Sequence, residues 1–135
     1  IALVDEQMAS AQERITLKRL KVVAGTDGPQ TAEIELVIEG EARATTSTGN
    51  GPVDAVFNGI RLLRPHTAVL ELYQVSAVTE GTDAQATVSV RLAEQGLVAT
   101  GKASDPDTLV ASARAYVHAL NKLDVRRAKA TGAAA

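Results

Sequence analysis

A strand-like run that breaks at a small-residue turn and continues into an apolar helical pattern occurs twice in this chain. The first copy, residues 48–56, reads TGNGPVDAV, and the second, residues 102–110, reads KASDPDTLV. Their prolines, Pro52 and Pro106, lie 54 positions apart (106 − 52 = 54), and two earlier turn glycines, Gly25 and Gly81, lie 56 apart (81 − 25 = 56). Near-constant spacing of this kind predicts one duplicated domain.

Each copy is predicted to form three strands and one helix. Alternating apolar residues place strands at 15–24, 31–39 and 41–48 in a first unit, residues 15–65, and at 69–79, 84–92 and 97–103 in a second unit, residues 66–125. The first helix is expected at 52–63, with Pro52 at its first position, where proline is preorganised for a helix. The second helix is expected to include Pro106 and to be capped by Ser104 or Asp105.

The order βββα, repeated, predicts an α+β fold with two antiparallel three-stranded sheets and packed helices, because each sheet must cover an apolar face. In the second unit Leu70 and Leu72, with Val75 and Ala77, are expected to face inward. Residues 1–14 are expected to end a linker helix, and residues 126–135 to form a disordered tail.

Composition excludes several classes of function. A net charge of −2 and 22% charged residues predict no nucleic-acid partner, and the longest apolar run is too short for a membrane span. Cysteine is absent, no cluster has the spacing of a metal site, and the two histidines, His66 and His118, stand apart. The chain begins with Ile1 rather than Met, which leads us to expect a fragment of a longer protein.

The turn before the first helix allows two readings. Free N–H groups at a helix N-terminus attract an anion, and Gly49 and Gly51 would let a carboxylate approach the main chain. Alternatively, the glycines only supply positive φ for a tight turn. In the first reading Asp54, Glu80 or Asp83 would hold an ammonium group. With an apolar wall, this describes an amino-acid site; the wall residues would be Val53, Leu72 and Ala77.

Five segments resemble the C-terminal regulatory domain of 2-isopropylmalate synthases, over about residues 15–123. They are residues 48–55, 72–75, 79–86, 111–116 and 119–122. The resemblance implies a cytoplasmic, homodimeric allosteric domain that binds L-leucine near its dimer interface. It also implies a parent acyltransferase that condenses acetyl-CoA with 2-oxoisovalerate using a divalent metal. The fragment, lacking that catalytic barrel, is expected to be inactive alone, with no cofactor and no nucleic-acid or membrane partner.

The resemblance also implies an effector site. Its residues would be Gly49, Asn50, Gly51, Val53, Asp54, Tyr73, Ala77, Asp83, Ala84, Thr108 and Leu109. Asp105 makes the second turn less suited to a carboxylate than the first. Three alternatives stay open: an isoleucine-binding domain of a citramalate synthase, a ligand-free dimerisation module, and a small enzyme using Asp54 or Asp83 as a base. Discrimination between leucine and isoleucine is worth only about 1–3 kcal/mol.

Overall fold

The computed structural model describes residues 14–77 and 85–130, which form βββα twice. The first unit contains β1 (Ile15–Val23), β2 (Gln30–Ile38), β3 (Glu41–Gly49) and α1 (Pro52–Leu63). The second contains β4 (Val69–Ala77), β5 (Ala86–Glu94), β6 (Leu97–Asp105) and α2 (Thr108–Ala130). Each unit builds one antiparallel sheet in the order of its strands. The predicted α+β class and the duplicated units are confirmed.

The middle strands carry the core because their side chains alternate between the two faces of each sheet. β2 buries Ala32, Ile34 and Leu36 on one face. β5 repeats the pattern 56 positions later, with Val88, Val90 and Leu92. The helices cover these faces: α1 lies on β2 and β3, and α2 lies on β5 and β6 and reaches across to β1.

The structural offset between the units is 56 positions. Both hairpins turn through two residues of positive φ, 52° and 81° at Glu39 and Gly40, and 53° and 81° at residues 95–96. Such two-residue turns suit the twist of the flanking strands. The helices begin at Pro52 and Thr108 (108 − 52 = 56). The predicted pairing of Pro52 with Pro106 is therefore wrong, because β6 continues to Asp105 and the second proline precedes its helix.

In each unit the middle of the helix approaches the sheet closely at a glycine, and the two units place that glycine on different elements. In the first unit the glycine is on the helix: a Cβ on Gly59 would lie 2.7 Å from Ser47 Oγ and 2.9 Å from Ile34 Cγ2. In the second it is on the strand: a Cβ on Gly101 would lie 2.1 Å from the carbonyl oxygen of Ala115. The second contact is backbone against backbone and leaves no atom free to move aside.

Two further expectations are corrected. α2 continues to Ala130, so residues 126–130 are helical rather than part of a disordered tail. Leu70 and Val75 are 37% and 44% exposed, because no described element covers these side chains. Residues 1–13, where most of the linker helix was expected, lie outside the described residues.

The buried side chain of Asn121, on α2, anchors the start of the first strand. Its Oδ1 accepts hydrogen bonds from the backbone N–H groups of Arg14 (3.1 Å) and Ile15 (3.0 Å), and its Nδ2 donates to the Ile15 carbonyl (2.8 Å). Because Ile15 is fully buried, these backbone groups need a partner inside the protein. One amide thus ties the first strand to the last helix.

A histidine performs the equivalent task for the fourth strand. The backbone N–H of Ala68 donates to His66 Nδ1 (3.1 Å), and the other ring nitrogen lies 3.0 Å from the Tyr116 hydroxyl. Burial lowers the pKa of His66 from its ordinary 6.5 to about 4, with Arg61, Arg64 and residue 127 adding positive charge nearby. The ring is therefore neutral at pH 7, as an acceptor for the Ala68 N–H must be.

Candidate functional site

The N-terminus of α1 has no side-chain cap. Gly51 stands at the N-cap position with extended backbone (φ −158°, ψ 172°), and Pro52 follows it inside the helix. The Gly51 carbonyl accepts the Ala55 N–H at 2.9 Å, which closes the first turn. The N–H groups of the first turn, on Val53 and Asp54, have no side-chain partner.

The two glycines of this turn are required for different reasons. Neither has positive φ, so the reading of a turn that needs glycine for its backbone angle is wrong. A Cβ on Gly49 would lie 2.4 Å from the backbone nitrogen of Ala55, so the close return of the helix onto the strand end excludes any other residue. Around Gly51, by contrast, no atom of the described residues other than its chain neighbours lies within 4 Å of such a Cβ.

The acidic residue of the first turn, Asp54, folds back onto the turn itself. Its Oδ2 accepts the backbone N–H of Asn50 at 2.9 Å. A carboxylate in this place also interacts favourably with the positive end of the helix dipole. Farther along the helix, Asn58 donates from Nδ2 to the Thr48 carbonyl (2.9 Å) and so holds β3 to α1 beyond the turn.

The second helix N-terminus is capped from within the chain. Asp107 Oδ1 accepts the N–H groups of Leu109 (2.8 Å) and Val110 (3.4 Å), and Asp105 Oδ1 accepts the N–H of Asp107 (2.9 Å). The predicted cap at Ser104 or Asp105 is therefore wrong. Asp107 is the structural equivalent of Gly51 (107 − 51 = 56), so a carboxylate already occupies the position that stands open in the first unit.

Tyr73, on β4, lies between the two helices. Its ring meets Phe57 of α1 edge-on, with centroids 5.6 Å apart, and its hydroxyl lies 2.7 Å from Ser112 Oγ of α2. Ser112 in turn donates to the carbonyl of Thr108, the first residue of α2. Phe57 also packs on Tyr116 (4.5 Å), so all three aromatic residues of the chain meet in one cluster.

The structure thus brings together part of the predicted site. Residues 49–54 form one turn, and Tyr73 connects to Thr108 through a single serine. The N–H of Leu109 is occupied by Asp107. The side chain of Ala77 and all of Asp83 and Ala84 lie outside the described residues. Sequence reasoning missed the connecting residues Phe57 and Ser112, which only the helix packing reveals, and the cap Asp107, whose signal was an Asp directly before an apolar helical pattern.

The family profile described as "LeuA allosteric (dimerisation) domain" matches residues 1–124. The chain belongs to this family. The chain is 59% identical over 135 residues to the 2-isopropylmalate synthase of Nitrobacter winogradskyi and to that of Caulobacter sp. strain K31. It is 64% identical over 126 residues to that of Bradyrhizobium sp. strain ORS 278. The resemblance predicted from sequence is confirmed.

The chain covers only part of these relatives. The alignments take in 100%, 100% and 93% of the chain, but 26%, 26% and 24% of the relatives. The chain therefore spans about a quarter of the length of the synthases that it matches. In the described parts of the domain no three His, Asp or Glu side chains are grouped so as to hold a metal ion, and no helix there is long and apolar enough to cross a membrane.

Proposed function

We propose that this chain is the leucine-sensing feedback domain of a 2-isopropylmalate synthase and works as a homodimer. The observation that carries the proposal is the open N-terminus of α1, where Gly51 replaces the carboxylate that Asp107 supplies in the other unit. The family description, allosteric and dimerisation domain, supports both parts of it.

The α-carboxylate of the effector binds at the start of α1. Uncapped N–H groups and the positive end of the helix dipole both favour an anion there. The open space that the described residues leave at the Cβ position of Gly51 supports the approach of an anion there. At the start of α2 the same position is filled by Asp107, so a second carboxylate is repelled there.

The ammonium group of the effector binds Asp54. Only Oδ2 of this carboxylate takes part in the bond to Asn50, and a carboxylate can accept several hydrogen bonds. Asp54 is exposed, so its charge is available beside the open helix end. Val53, half-buried next to it, offers the aliphatic side chain an apolar contact.

In the parent enzyme, leucine binding shifts the balance between an active and a slow arrangement of the dimer. A ligand produces such a shift only through different affinities for the two states. The condensation of acetyl-CoA with 2-oxoisovalerate, and the divalent metal it needs, belong to the parent's catalytic domain. This chain alone is then without activity and acts in the cytoplasm as part of the whole enzyme.

Calorimetric titration of the 135-residue chain with leucine and with isoleucine tests the effector. We expect saturable heat with leucine and an affinity for isoleucine lower by 5-fold or more, since branching is worth about 1–3 kcal/mol. Stronger binding of isoleucine would identify a citramalate-synthase-like domain instead. No heat with either amino acid, from a folded dimer, would contradict the effector proposal.

A ligand-free dimerisation module is the second candidate. The bond between Asp54 and Asn50 favours it, because a carboxylate engaged in its own turn has a structural use without any ligand. The two candidates differ at this residue. Asp54→Asn keeps an acceptor for the Asn50 N–H, so a module would be unchanged, whereas an effector site would lose its partner for the ammonium group.

A further inference from the structure

The two units carry equivalent surface grooves beside their helices. The first groove, about 370 Å³, lies between β3 and α1, and the second, about 360 Å³, lies between β6 and α2. Shifted by 56 positions, five of the six residues lining the first groove coincide with residues lining the second. They are Thr46, Ser47, Asn58, Arg61 and Leu62, which correspond to Lys102, Ala103, Arg114, Val117 and His118.

The second groove has a third wall that the first lacks. Thr16 and Leu17, at the start of β1, also line it. The hydrogen bonds from Asn121 to Ile15 hold the strand in this place. The last helix of the chain is thus flanked by the first strand of the other unit, whereas no described residue of β4 lines the groove beside α1.

Strand pairing identifies which residues of β4 correspond to this wall. Thr16 pairs with Val37 and Val69 pairs with Ala93, and the partners lie 56 positions apart (93 − 37 = 56). By the same register Leu17 corresponds to Leu70, since their partners are residues 36 and 92. The residues of β4 that would wall the first groove are therefore Val69 and Leu70.

These residues are apolar and exposed. Val69 is 64% exposed and Leu70 37%, and on the other side of the junction Leu62 is 62% exposed. The polar residues Thr16 and His118 occupy the corresponding places in the closed groove. In a single chain these three large apolar side chains are exposed to solvent, at positions whose counterparts line the second groove. Such exposure indicates an interaction surface.

The outer edge of the second sheet, β6, is covered by side chains of its helix, whereas most of the outer edge of the first sheet, β3, is not. On β6, side chains spaced four residues apart on α2 bond to the outward backbone groups: His118 to Lys102, Lys122 to Thr100 (2.9 Å), and residue 126 to residue 98. α1 ends at Leu63, too early to supply such a row.

On β3 the corresponding backbone groups, at Ala42, Ala44 and Thr46, form no bond of this kind with any described residue. An edge left open in this way can receive another strand.

We propose that a second copy of this chain closes the first groove, by placing Val69 and Leu70 of its β4 against Leu62 and the open edge of β3. The proposal rests on the homodimer proposed above and specifies its interface. β4 of each copy contacts the first groove of the other copy. Two identical contacts therefore form around one two-fold axis, and the assembly is a closed dimer. The contact between chains then repeats the arrangement within one chain, in which β1 packs on α2 and lines the groove beside β6.

Cross-linking tests this geometry directly, because the chain contains no cysteine. Leu62→Cys and Val69→Cys are prepared as separate variants, since both in one chain could react internally. They are mixed, allowed to exchange subunits, and treated with a short bis-maleimide. We expect covalent dimers from the mixture at a yield at least 5-fold above that of either variant alone. A Thr16→Cys/His118→Cys chain is the positive control and should link within itself.

Matched controls separate this contact from chance collisions. Val23→Cys is about as exposed, at 54%, and lies at the far end of β1, so its mixture with Val69→Cys should give no excess of dimer. Efficient linking of Leu62→Cys, Val69→Cys or Thr46→Cys with itself would show a different pairing of the same edges and overturn the proposal. So would a dimer in light scattering that gives no covalent product in the mixture.

A charge at the interface gives an independent measurement. Val69→Asp should weaken dimerisation at least 10-fold in sedimentation equilibrium, while Val98→Asp, at a 41% exposed position outside the junction, should leave it unchanged. Equal effects would overturn the proposed surface. A chain that is monomeric at every concentration would overturn the homodimer as well. Neither measurement involves leucine, so the calorimetric titration judges the effector separately.

Discussion

Gly51 begins α1 without a side chain, whereas Asp107, at the equivalent position of the second unit, caps α2 with its own carboxylate. The fold around the two positions is the same, with a nine-residue strand before the turn and an apolar helix after it. Stability alone would favour a capping residue at both, since Asp is among the best N-cap residues. The difference teaches that one copy of the duplicated turn stabilises its helix start, while the other leaves that position open, which is where we propose that the effector binds.

The largest expected effect concerns the glycines at the two helix–sheet contacts. Gly101→Ala should lower the free energy of unfolding by about 3 kcal/mol, because its Cβ would meet the backbone of Ala115. Gly59→Ala should change it by no more than about 1 kcal/mol, since its neighbours are side-chain atoms and alanine favours the helix. Urea unfolding of both variants measures the difference, and equal losses would contradict it.

Gly51→Asp makes the first helix start like the second. The new carboxylate should take the free N–H groups and repel the effector, lowering leucine affinity by about 2 kcal/mol, or roughly 30-fold, in calorimetry. The free energy of unfolding should change by only a few tenths of a kcal/mol. Gly25→Asp, which adds the same charge in open space elsewhere, should bind leucine normally. Unaltered binding by Gly51→Asp would exclude this helix end as the carboxylate site.

The two strand anchors should respond differently to pH. The pKa of His66 is lowered to about 4 in the folded state, so the unfolded chain binds the proton more readily. His66 thus costs no stability above pH 6.5 and should destabilise the fold progressively as pH falls from 6.5 to 4. The loss should be about 1 kcal/mol, because the ring is only half buried. Asn121 does not titrate, so its anchor contributes nothing to this slope.

Unfolding measured between pH 4 and 7 in the parent chain and in His66→Asn checks this. The asparagine oxygen can accept the Ala68 N–H, and the variant should lack that part of the pH dependence. The same slope in both proteins would mean that another group is responsible.

The smallest expected effect comes from removing the cap of the second helix. Asp107→Ala should cost about 1 kcal/mol, whereas Asp107→Gly, which copies the first unit, should cost only a few tenths. Thermal unfolding followed by circular dichroism measures both. If Asp107→Gly also creates a second site for leucine in calorimetry, the open helix end is sufficient for binding; a single site per chain in the variant would show that Tyr73 or Asp54 is needed too.

Local patterns predicted most of the fold. Alternation located all six strands to within about two residues, and Pro52 with the helical period placed α1 at its observed bounds. The register shift in β1, between Leu17 and Arg19, leaves the predicted bounds of that strand almost unchanged. The start of α2 was misplaced because Ser104, Asp105 and residue 107 are all good caps, and only the length of β6 decides among them.

The candidate site was less predictable, for a physical reason. Its glycines indicated an unusual turn. The sequence does not show whether a glycine is required there for its backbone angles, for a close contact or for open space, because that depends on the positions of the surrounding atoms. Gly49 is needed because the backbone of Ala55 lies against it, a contact set by the path of the chain through the turn and not visible in the residue pattern. The exposure of Leu70 and Val75 was likewise missed, since an edge strand and a central strand alternate alike.

The amide of Asn121 also bears on how the chain acquires its structure. In a duplicated domain the first unit could fold before the second has been synthesised, because its sequence is complete by residue 65. Here the backbone of Ile15 finds its partner 106 residues later, on the last helix. The first half cannot complete its fold until residue 121 has been synthesised, so we expect the two halves to unfold together in a single cooperative transition, despite their separate sheets.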